Sequence, residues 1–309
     1  MSVLRAPIRP PRLAPGDVVA VVAPSGPVFP AAFAVGAAVL SARYRLRHDA
    51  ATLFAAEGFL AGSDEQRLAS LHQALRDPEA RAVFMGRGGH GLLRIASRID
   101  PDLLRQHGKP IVGFSDGTVL LAAAARAGVA AIHGPVVTQL GRLPESDHAA
   151  LFSLLESPEP GLLLDGLATL RPGSATGPLL GGNLEVFSRL LGTQLLPDLD
   201  GAILFLEEVG ERPYRVDRLL CHLELAGVFA RIAGVVVGDL VACTEPADSR
   251  VASPSAIEVV RERLGRLAIP VALGARIGHG DRNRALPYGV RAELDTRAGS
   301  LTALEGAVS

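Results

Sequence analysis

Short apolar segments alternate with helix-forming segments through the first half of the chain, and this alternation restricts the fold more than any other feature. Residues 18–22 and 82–85 predict buried strands, and residues 30–42 and 63–75 predict helices. Strands that are joined by helices run parallel in one sheet, and the helices cover both faces of that sheet. The first half therefore predicts an α/β domain, in which functional groups collect at the carboxyl ends of the strands.

The second half of the chain begins a new set of strands after a connecting segment. Pro and Gly recur over residues 141–177, where only a short helix is predicted. Apolar strands then follow, and residues 290–294 and 300–304 predict a closing hairpin. We therefore expect a first domain over residues 1–140, a linker over residues 141–177 and a second domain over residues 178–309.

The composition argues against several classes of partner. A net charge of −1 over 309 residues disfavours nucleic acid or an anionic membrane as the main ligand. No run of about 18 apolar residues predicts a membrane span, and residues 1–17 lack a signal-peptide pattern. Cys221 and Cys243 form neither a metal motif nor a disulfide framework. These features predict a cytoplasmic protein that needs no metal or other cofactor.

A serine lies at a glycine-flanked corner between a strand and a helix. Residues 110–112 predict the strand, and Ser115 follows between Gly113 and Gly117, directly before a helix-forming segment. A serine on such a turn exposes its hydroxyl, and neighbouring N–H groups point into the same space, which suits a nucleophile with an oxyanion hole. The same position also suits a serine that caps the following helix.

Two backbone segments are candidates for the oxyanion hole beside Ser115. One is the N–H of Asp116, and the other is the turn 86–91, which contains Gly88 and Gly89. Glycine-rich turns expose N–H groups that can bind an anion. The turn would also suit a phosphate or serve only as a structural turn, although it lacks the lysine of a P-loop and the full dinucleotide-binding spacing.

A glutamate and a histidine further along the chain are candidate partners for the serine. Glu207 ends an apolar strand, and His279 lies between two glycines after another strand. A carboxylate that accepts the Nδ1–H of a histidine fixes its tautomer and stabilises the imidazolium. Each residue also has an ordinary explanation, as a solvated strand end or an exposed loop histidine. His90 and His133 also follow strands and are alternative bases.

Short motifs that match one known family follow one another along nearly the whole chain. They lie at residues 14–17, 22–26, 59–64, 87–91, 113–116, 133–135, 181–184, 204–208, 213–218, 278–279 and 286–289. In this order they resemble the LD-carboxypeptidase family, also called the S66 serine peptidases. That family includes murein tetrapeptide carboxypeptidases and microcin C immunity proteins.

The resemblance implies a catalytic triad of Ser115, Glu207 and His279. It also implies two α/β domains. The N-terminal domain would be flavodoxin-like, with a parallel sheet that carries Ser115. The C-terminal domain would be smaller, with a mixed, barrel-like sheet that carries the other two residues. The site would lie in the cleft between the domains, and the protein would form a homodimer.

Three positions depart from the pattern of this family. His90 stands where Tyr is usual, Glu208 stands where Asp is usual, and Gly117 stands where a larger residue is common. None of the three is a member of the implied triad. The change at His90 bears on the shape and polarity of the pocket wall.

The resemblance also implies the substrate, a small peptide in which an amide joins an L-configured centre to a C-terminal D-amino acid. Release of the terminal D-Ala from murein tetrapeptides, a step of peptidoglycan recycling, is the expected reaction. Arg87 and Asn183 lie beside glycine-rich turns and are candidates for binding the free carboxylate.

Three other functions remain open alternatives to this reaction. A microcin C-type immunity peptidase would cleave a peptidyl-nucleotide, but the chain has no Trp and three Tyr for stacking a nucleobase. A two-domain protein could instead bind a peptide without cleaving it. The third alternative is a phosphate- or nucleotide-binding module at residues 86–91.

Overall fold

The first sheet explains why the strands of the first half are short and apolar. A computed structural model describes residues 7–249 and 252–309 of the chain. Five strands of the first sheet come from the first half and run parallel to one another. They are β1 (Val18–Val22), β2 (Arg45–Arg47), β3 (Ala80–Met85), β4 (Ile111–Gly113) and β5 (Ala131–His133).

Helices connect these strands, as the alternation in the sequence predicts. Pro begins two of the helices, and Ser63 caps another in a capping box with Gln66. The helices are α1 (Pro30–Ser41), α2 (Ala50–Leu53), α3 (Asp64–Arg76), α4 (Leu92–Ile95), α5 (Pro101–His107), α6 (Thr118–Arg126) and α7 (Val137–Leu140).

The parallel strands lie in the order β2-β1-β3-β4-β5. This is the flavodoxin-like order, so the predicted fold class of the first half is confirmed. Because the strands are parallel, the carboxyl ends of β3, β4 and β5 lie at the same edge of the sheet. The turn 86–91, Ser115 and Gly134 follow these ends.

The second sheet is larger and mixed. Its strands are β6 (Leu162–Leu164), β7 (Ala168–Arg171), β8 (Ser174–Asn183), β9 (Ile203–Val209), β10 (Gly234–Val241), β11 (Val271–Leu273), β13 (Arg291–Asp295) and β14 (Ser300–Ala303). The strands β8 to β11 run parallel, and the remaining pairs are antiparallel. The strands β13 and β14 form the predicted closing hairpin.

The second sheet curls so that its two edges approach each other. Its strand order is β6-β14-β13-β8-β9-β10-β11-β7, so β6 and β7 are the two edge strands. Only residues 165–167 connect these edges along the chain, and a connection of this length spans at most about 14 Å. The mixed, barrel-like sheet that the resemblance implies is therefore present.

The helix α8 (Glu145–Glu156) packs on the first half, where its buried Leu151 and Leu155 join the core that contains Val19 and Phe33. Four helices of the described residues accompany the second sheet, namely α9 (Leu184–Ser188), α10 (Pro213–Leu225), α11 (Val228–Arg231) and α12 (Ala256–Leu264). Across residues 7–249 and 252–309, no helix has both the length and the apolar character that a membrane crossing requires.

The segment predicted as a linker holds regular structure. Residues 141–177 contain α8, β6, β7 and the start of β8. The recurring Pro and Gly residues mark the turns between these short elements. The residues of β7 are largely exposed at a sheet edge, so this strand lacks the apolar pattern that a sequence would reveal.

The two halves of the chain are joined at several points. The strand β12 (Leu286–Tyr288) belongs to the second half, but it pairs antiparallel with β5 at the edge of the first sheet. At the end of β8, the backbone N–H of Asn183 donates to Thr118 Oγ1 over 3.1 Å. Thr118 begins α6, directly after the Ser115 turn, so this bond links the turn to the second half.

Candidate active site

Ser115 lies on a sharp turn between β4 and α6. Its φ is +62°, in the left-handed region that side chains other than glycine rarely adopt. Gly113 and Gly117 flank the turn, and a Cβ at either position would lie within 2.7 Å of the Met85 sulfur. The corner therefore packs tightly on Met85, and it presents the serine as a nucleophile elbow does.

The Ser115 hydroxyl is bonded to a histidine of the second half. His279 Nε2 lies 3.0 Å from Ser115 Oγ. The N-terminus of α6 and the single turn of 3-10 helix before it have no side-chain cap. The ordinary explanation of Ser115 as a helix cap therefore does not apply in the structure.

The other ring nitrogen of His279 is bonded to Glu207. The Nδ1 atom of His279 lies 2.7 Å from Glu207 Oε2, and the exposed fractions of the two side chains are 18% and 0%. An ionised carboxylate only accepts hydrogen bonds, so Nδ1 carries the proton and Nε2 accepts from Ser115. The three side chains form one row with the geometry of a Ser-His-carboxylate triad.

Gly278 allows the histidine and the glutamate to approach. Its φ is +118°, and a Cβ there would lie 2.5 Å from Glu207 Oε2. On the other side, the ring of Phe114 packs on the imidazole, with 4.7 Å between the ring centroids. His279 therefore contacts both a carboxylate and an aromatic ring, which restricts the rotation of its own ring.

Buried side chains from α7 and α8 fix the loop that carries His279. Gln139 Nε2 donates to the Gly278 carbonyl over 2.9 Å, and the Gly278 N–H donates to Asn283 Oδ1 over 3.0 Å. Asn283 Nδ2 in turn donates to Gln139 Oε1 over 2.7 Å, and the Asn283 N–H donates to Asp147 Oδ2 over 3.0 Å. Both backbone groups of the residue before His279 are thus held by amide side chains.

The predicted oxyanion-hole residues lie around Ser115. A Cβ on Gly88 would lie 2.9 Å from Ser115 Cβ, so the turn 86–91 touches the serine directly. The Gly26 N–H donates to the Gly88 carbonyl over 3.0 Å, which fixes the orientation of this turn. The Asp116 carboxylate accepts from the N–H of Leu92 over 2.9 Å and so turns away from the serine.

A cavity of about 360 Å³ opens beside Ser115 and His279. It lies between the two halves of the chain. The residues that line it are Arg87, Gly88, Gly89, Phe114, Ser115, Val136, Thr138, Gln139, Arg142, Val209 and His279. The site therefore has room for a substrate next to the serine hydroxyl.

Asn183 does not line this cavity, whereas Arg87 does. Asn183 caps α9, where its Oδ1 accepts from the Val186 N–H over 3.1 Å, and its Nδ2 donates to Glu208 Oε1 over 3.0 Å. Glu208 points away from Glu207, as alternation along β9 requires. The Asn183 side chain is thus committed to bonds inside the protein.

The alternative histidines lie away from the serine hydroxyl. His90 is exposed, packs beside Phe59 and is absent from the residues that line the cavity. His133 is fully buried between Phe114 and Phe205, and its ring nitrogens have no hydrogen-bond partner among the described residues. Burial lowers the pKa of His133 to about 3, so the ring stays neutral.

No group of three or more His, Cys, Asp or Glu side chains is arranged to hold a metal ion within residues 7–249 and 252–309. Cys243 is buried, and burial raises the pKa of its thiol to about 11, which keeps the thiol protonated.

Comparisons with known proteins agree with this arrangement of two halves. The sequence matches the model of the LD-carboxypeptidase N-terminal domain over residues 19–134. It matches the model of the LD-carboxypeptidase C-terminal domain over residues 176–294. The chain is therefore a two-domain α/β protein of the peptidase class, and it belongs to the LD-carboxypeptidase family.

Individual relatives extend this likeness over most of the chain. The probable murein peptide carboxypeptidase of Bacillus subtilis is 34% identical over 97% of this chain and 95% of its own. The murein tetrapeptide carboxypeptidase of Pseudomonas aeruginosa is 35% identical over 77% of this chain and 80% of its own. The solved structure of MccF in complex with glutamyl sulfamoyl guanosine has the same fold, with a TM-score of 0.87 and 21% identity over 98% of this chain and 100% of that one.

Sequence reasoning missed the residues that hold the His279 loop. Gln139, Asp147 and Asn283 lie in segments predicted as a domain end, a linker and a loop. Gln139 is a polar residue next to an apolar one in Val137–Leu140, whereas Asp147 and Asn283 lie among other polar residues, so neither of these two carries a signal. Arg142, which lines the cavity, also lies in the predicted linker and was missed for the same reason.

Replacement of Asn283 by Ala should lower the turnover number of the enzyme by about 10- to 100-fold with little change in KM. Loss of the amide leaves the Gly278 N–H and Gln139 Oε1 without this partner, and a shift of about 1 Å at a catalytic group has an effect of this size. Steady-state kinetics on the proposed peptide substrate measures both constants. Asn183→Ala is the matched control because it also removes a buried amide, but one that is not bonded to the His279 loop. Equal losses of turnover in the two variants would contradict the positioning role of Asn283.

Replacement of Glu208 by Gln should flatten the pH dependence of stability between about pH 4.5 and 7. Burial raises the pKa of the Glu208 carboxyl to about 7, and the unfolded chain loses this proton near pH 4.3. The proton contributes stability that is fully present below the unfolded pKa and is lost as the pH rises through about 7. The loss is on the order of 3 kcal/mol.

Chemical denaturation of the wild type and the Glu208→Gln variant from pH 4 to 8 measures this difference. As the pH rises, the free energy of unfolding should fall more in the wild type than in the variant. Because His133 and the other groups are present in both proteins, their titration cancels in the comparison. Parallel pH profiles would contradict the raised pKa.

Proposed function

We propose that this protein is a serine carboxypeptidase that cleaves an amide between an L-configured centre and a C-terminal D-amino acid. The observation that carries the proposal is the row of hydrogen bonds from Ser115 through His279 to Glu207. In this row the nucleophile, the base and the group that orients the base are each within bonding distance of the next. The family of the chain supports the same class of reaction.

The first half of the proposed reaction forms an acyl-enzyme. His279 Nε2 removes the proton of the Ser115 hydroxyl as Oγ attacks the carbonyl carbon of the scissile amide. Glu207 accepts the Nδ1–H and stabilises the imidazolium that results. Nε2–H then protonates the leaving nitrogen, the C–N bond breaks and the D-amino acid departs. Water, activated by the same imidazole, hydrolyses the ester and restores Ser115.

Backbone N–H groups stabilise the negative oxygen of the tetrahedral intermediate in this proposal. The groups are the N–H of Asp116 and those of Gly88 and Gly89, which lie on the two turns that meet at Ser115. Each such donor contributes on the order of 3 kcal/mol to the transition state. Because the turns belong to adjacent parallel strands, the sheet sets their separation before a substrate binds.

We propose a murein tetrapeptide as the substrate, with release of its terminal D-Ala. The names of the Bacillus subtilis and Pseudomonas aeruginosa relatives support this choice. The likeness to MccF concerns the fold alone at 21% identity. Among the described residues, Phe114 is the one aromatic side chain besides His279 that lines the cavity, and it is buried, with its ring tilted against the imidazole. A stacking surface for a nucleobase is therefore lacking there, which favours the peptide.

The assembly and compartment expected from the sequence, a homodimer in the cytoplasm, remain part of this proposal. Sedimentation of the purified chain tests the dimer, and fractionation of cells tests the compartment.

Replacement of Ser115 by Ala should lower kcat on a murein tetrapeptide by about 10⁴-fold or more, because no acyl-enzyme can form. Release of D-Ala, measured by chromatography of the products, gives the rate. Ser188→Ala is the control, since that hydroxyl is bonded to the Glu185 carbonyl and lies outside the cavity. Wild-type turnover in Ser115→Ala would remove the basis of the proposed function.

A further inference from the structure

Two arginines are among the residues that line the cavity beside Ser115. Arg87 and Arg142 line it together with His279, and no Asp or Glu of the described residues does so. The bond that each guanidinium makes goes to a backbone carbonyl, of Pro27 for Arg87 and of His279 for Arg142. Neither bond neutralises the positive charge. Such a cavity attracts a negatively charged group.

The two arginines differ in how freely they can meet a ligand. The guanidinium carbon of Arg87 lies 4.9 Å from the centroid of the Phe29 ring, and its Nη1 donates to the Pro27 carbonyl over 3.0 Å. One face and one edge of this group are therefore occupied. Arg142 is exposed, and its Nη2 donates to the His279 carbonyl over 3.0 Å. Its opposite edge can form the paired hydrogen bonds that a carboxylate accepts.

The bond between Arg142 and His279 also sets the position of the positive charge. His279 holds Ser115 with its ring and Arg142 with its backbone carbonyl. In a C-terminal residue, a single carbon separates the scissile nitrogen from the carboxylate. The imidazole must reach that nitrogen to protonate it. A cation attached to the same residue is therefore placed to meet the neighbouring carboxylate.

We propose that Arg142 binds the free carboxylate of the C-terminal residue of the substrate, and so restricts cleavage to the last amide of the peptide. This inference rests on the proposed function and assigns a group to one part of its substrate. Arg87 is the second cation of the same cavity, and it acts at longer range. Asn183, whose amide is committed to α9 and Glu208, takes no part.

Binding of the peptide to Ser115→Ala, a variant that cannot cleave it, tests this role directly. In Ser115→Ala, we would measure by calorimetry the Kd of a murein tetrapeptide and of the same peptide ending in D-alaninamide. The acid should bind about 100-fold more tightly than the amide, as expected for a charged hydrogen-bonded pair. In Ser115→Ala with Arg142→Ala this ratio should fall to near 1, because only the acid loses a partner. Arg266→Ala, an exposed arginine outside the cavity, is the matched control and should leave the ratio unchanged.

The outcomes separate this inference from the proposed function. A ratio that survives Arg142→Ala and collapses in Arg87→Ala would overturn the assignment to Arg142, and so would a ratio near 1 in Ser115→Ala alone. Neither result contradicts the proposed function if the wild type releases D-Ala. Failure of both peptides to bind, together with no turnover by the wild type, would overturn the substrate and the assignment together.

Kinetics of the single variant exclude a merely structural role for Arg142. If Arg142 only supports the His279 loop, Arg142→Ala will lower kcat equally for the acid and the amide. That result would overturn the inference. The proposed contact instead predicts that kcat/KM falls about 100-fold for the acid and changes little for the amide. Arg142→Lys, which keeps the charge without the paired donors, should recover part of the loss for the acid.

Discussion

The hydrogen bond between Glu207 and His279 is the interaction on which the site depends. Glu207 is fully buried, and its Oε1 has no partner among the described residues, so its contact with His279 is the main compensation for its burial. An isolated buried charge is destabilising by several kcal/mol. The carboxylate therefore orients the imidazole, and the imidazole in turn stabilises the carboxylate. Stability and reactivity are coupled at this contact.

This contact requires the two halves of the chain to be placed accurately. Ser115 comes from the first sheet, whereas Glu207 and His279 come from the second. The bond between Asn183 and Thr118 ties β8 to the serine turn, and Gln139 ties α7 to the His279 loop. The relative position of the halves is thus set by bonds within a few residues of the reacting groups.

The sequence could predict what depends on local pattern. Alternation of apolar and helical segments indicated the parallel sheet, and the glycines around Ser115 indicated its turn. Residues 141–177 could not be interpreted in the same way, because short strands at a sheet edge have no apolar repeat. The pairing of β12 with the first sheet also could not be predicted from local pattern. It depends on contacts between residues more than 150 positions apart, such as Leu286 and His133.

The site was predictable as a set of reactive residues but not as a supported geometry. Motifs and resemblance pointed to Ser115, Glu207 and His279, whose separation along the chain gave no distance between them. The amide network of Gln139 and Asn283 carries no motif, because any buried polar pair with suitable geometry can serve. Arg87 and Asn183 were predicted to bind the substrate carboxylate because they lie near glycine-rich turns. Nearness in sequence does not tell whether a side chain faces the cavity, as Asn183 illustrates.

Covalent labelling of the folded protein tests most directly whether the row of three side chains activates the serine. A fluorophosphonate reacts with an activated serine, and peptide mapping by mass spectrometry locates the adduct. We predict one adduct, on Ser115, in the wild type. We also predict a labelling rate at least about 100-fold lower in His279→Gln and Glu207→Gln variants that remain folded. Labelling at another residue, or equal rates in all three proteins, would contradict the account.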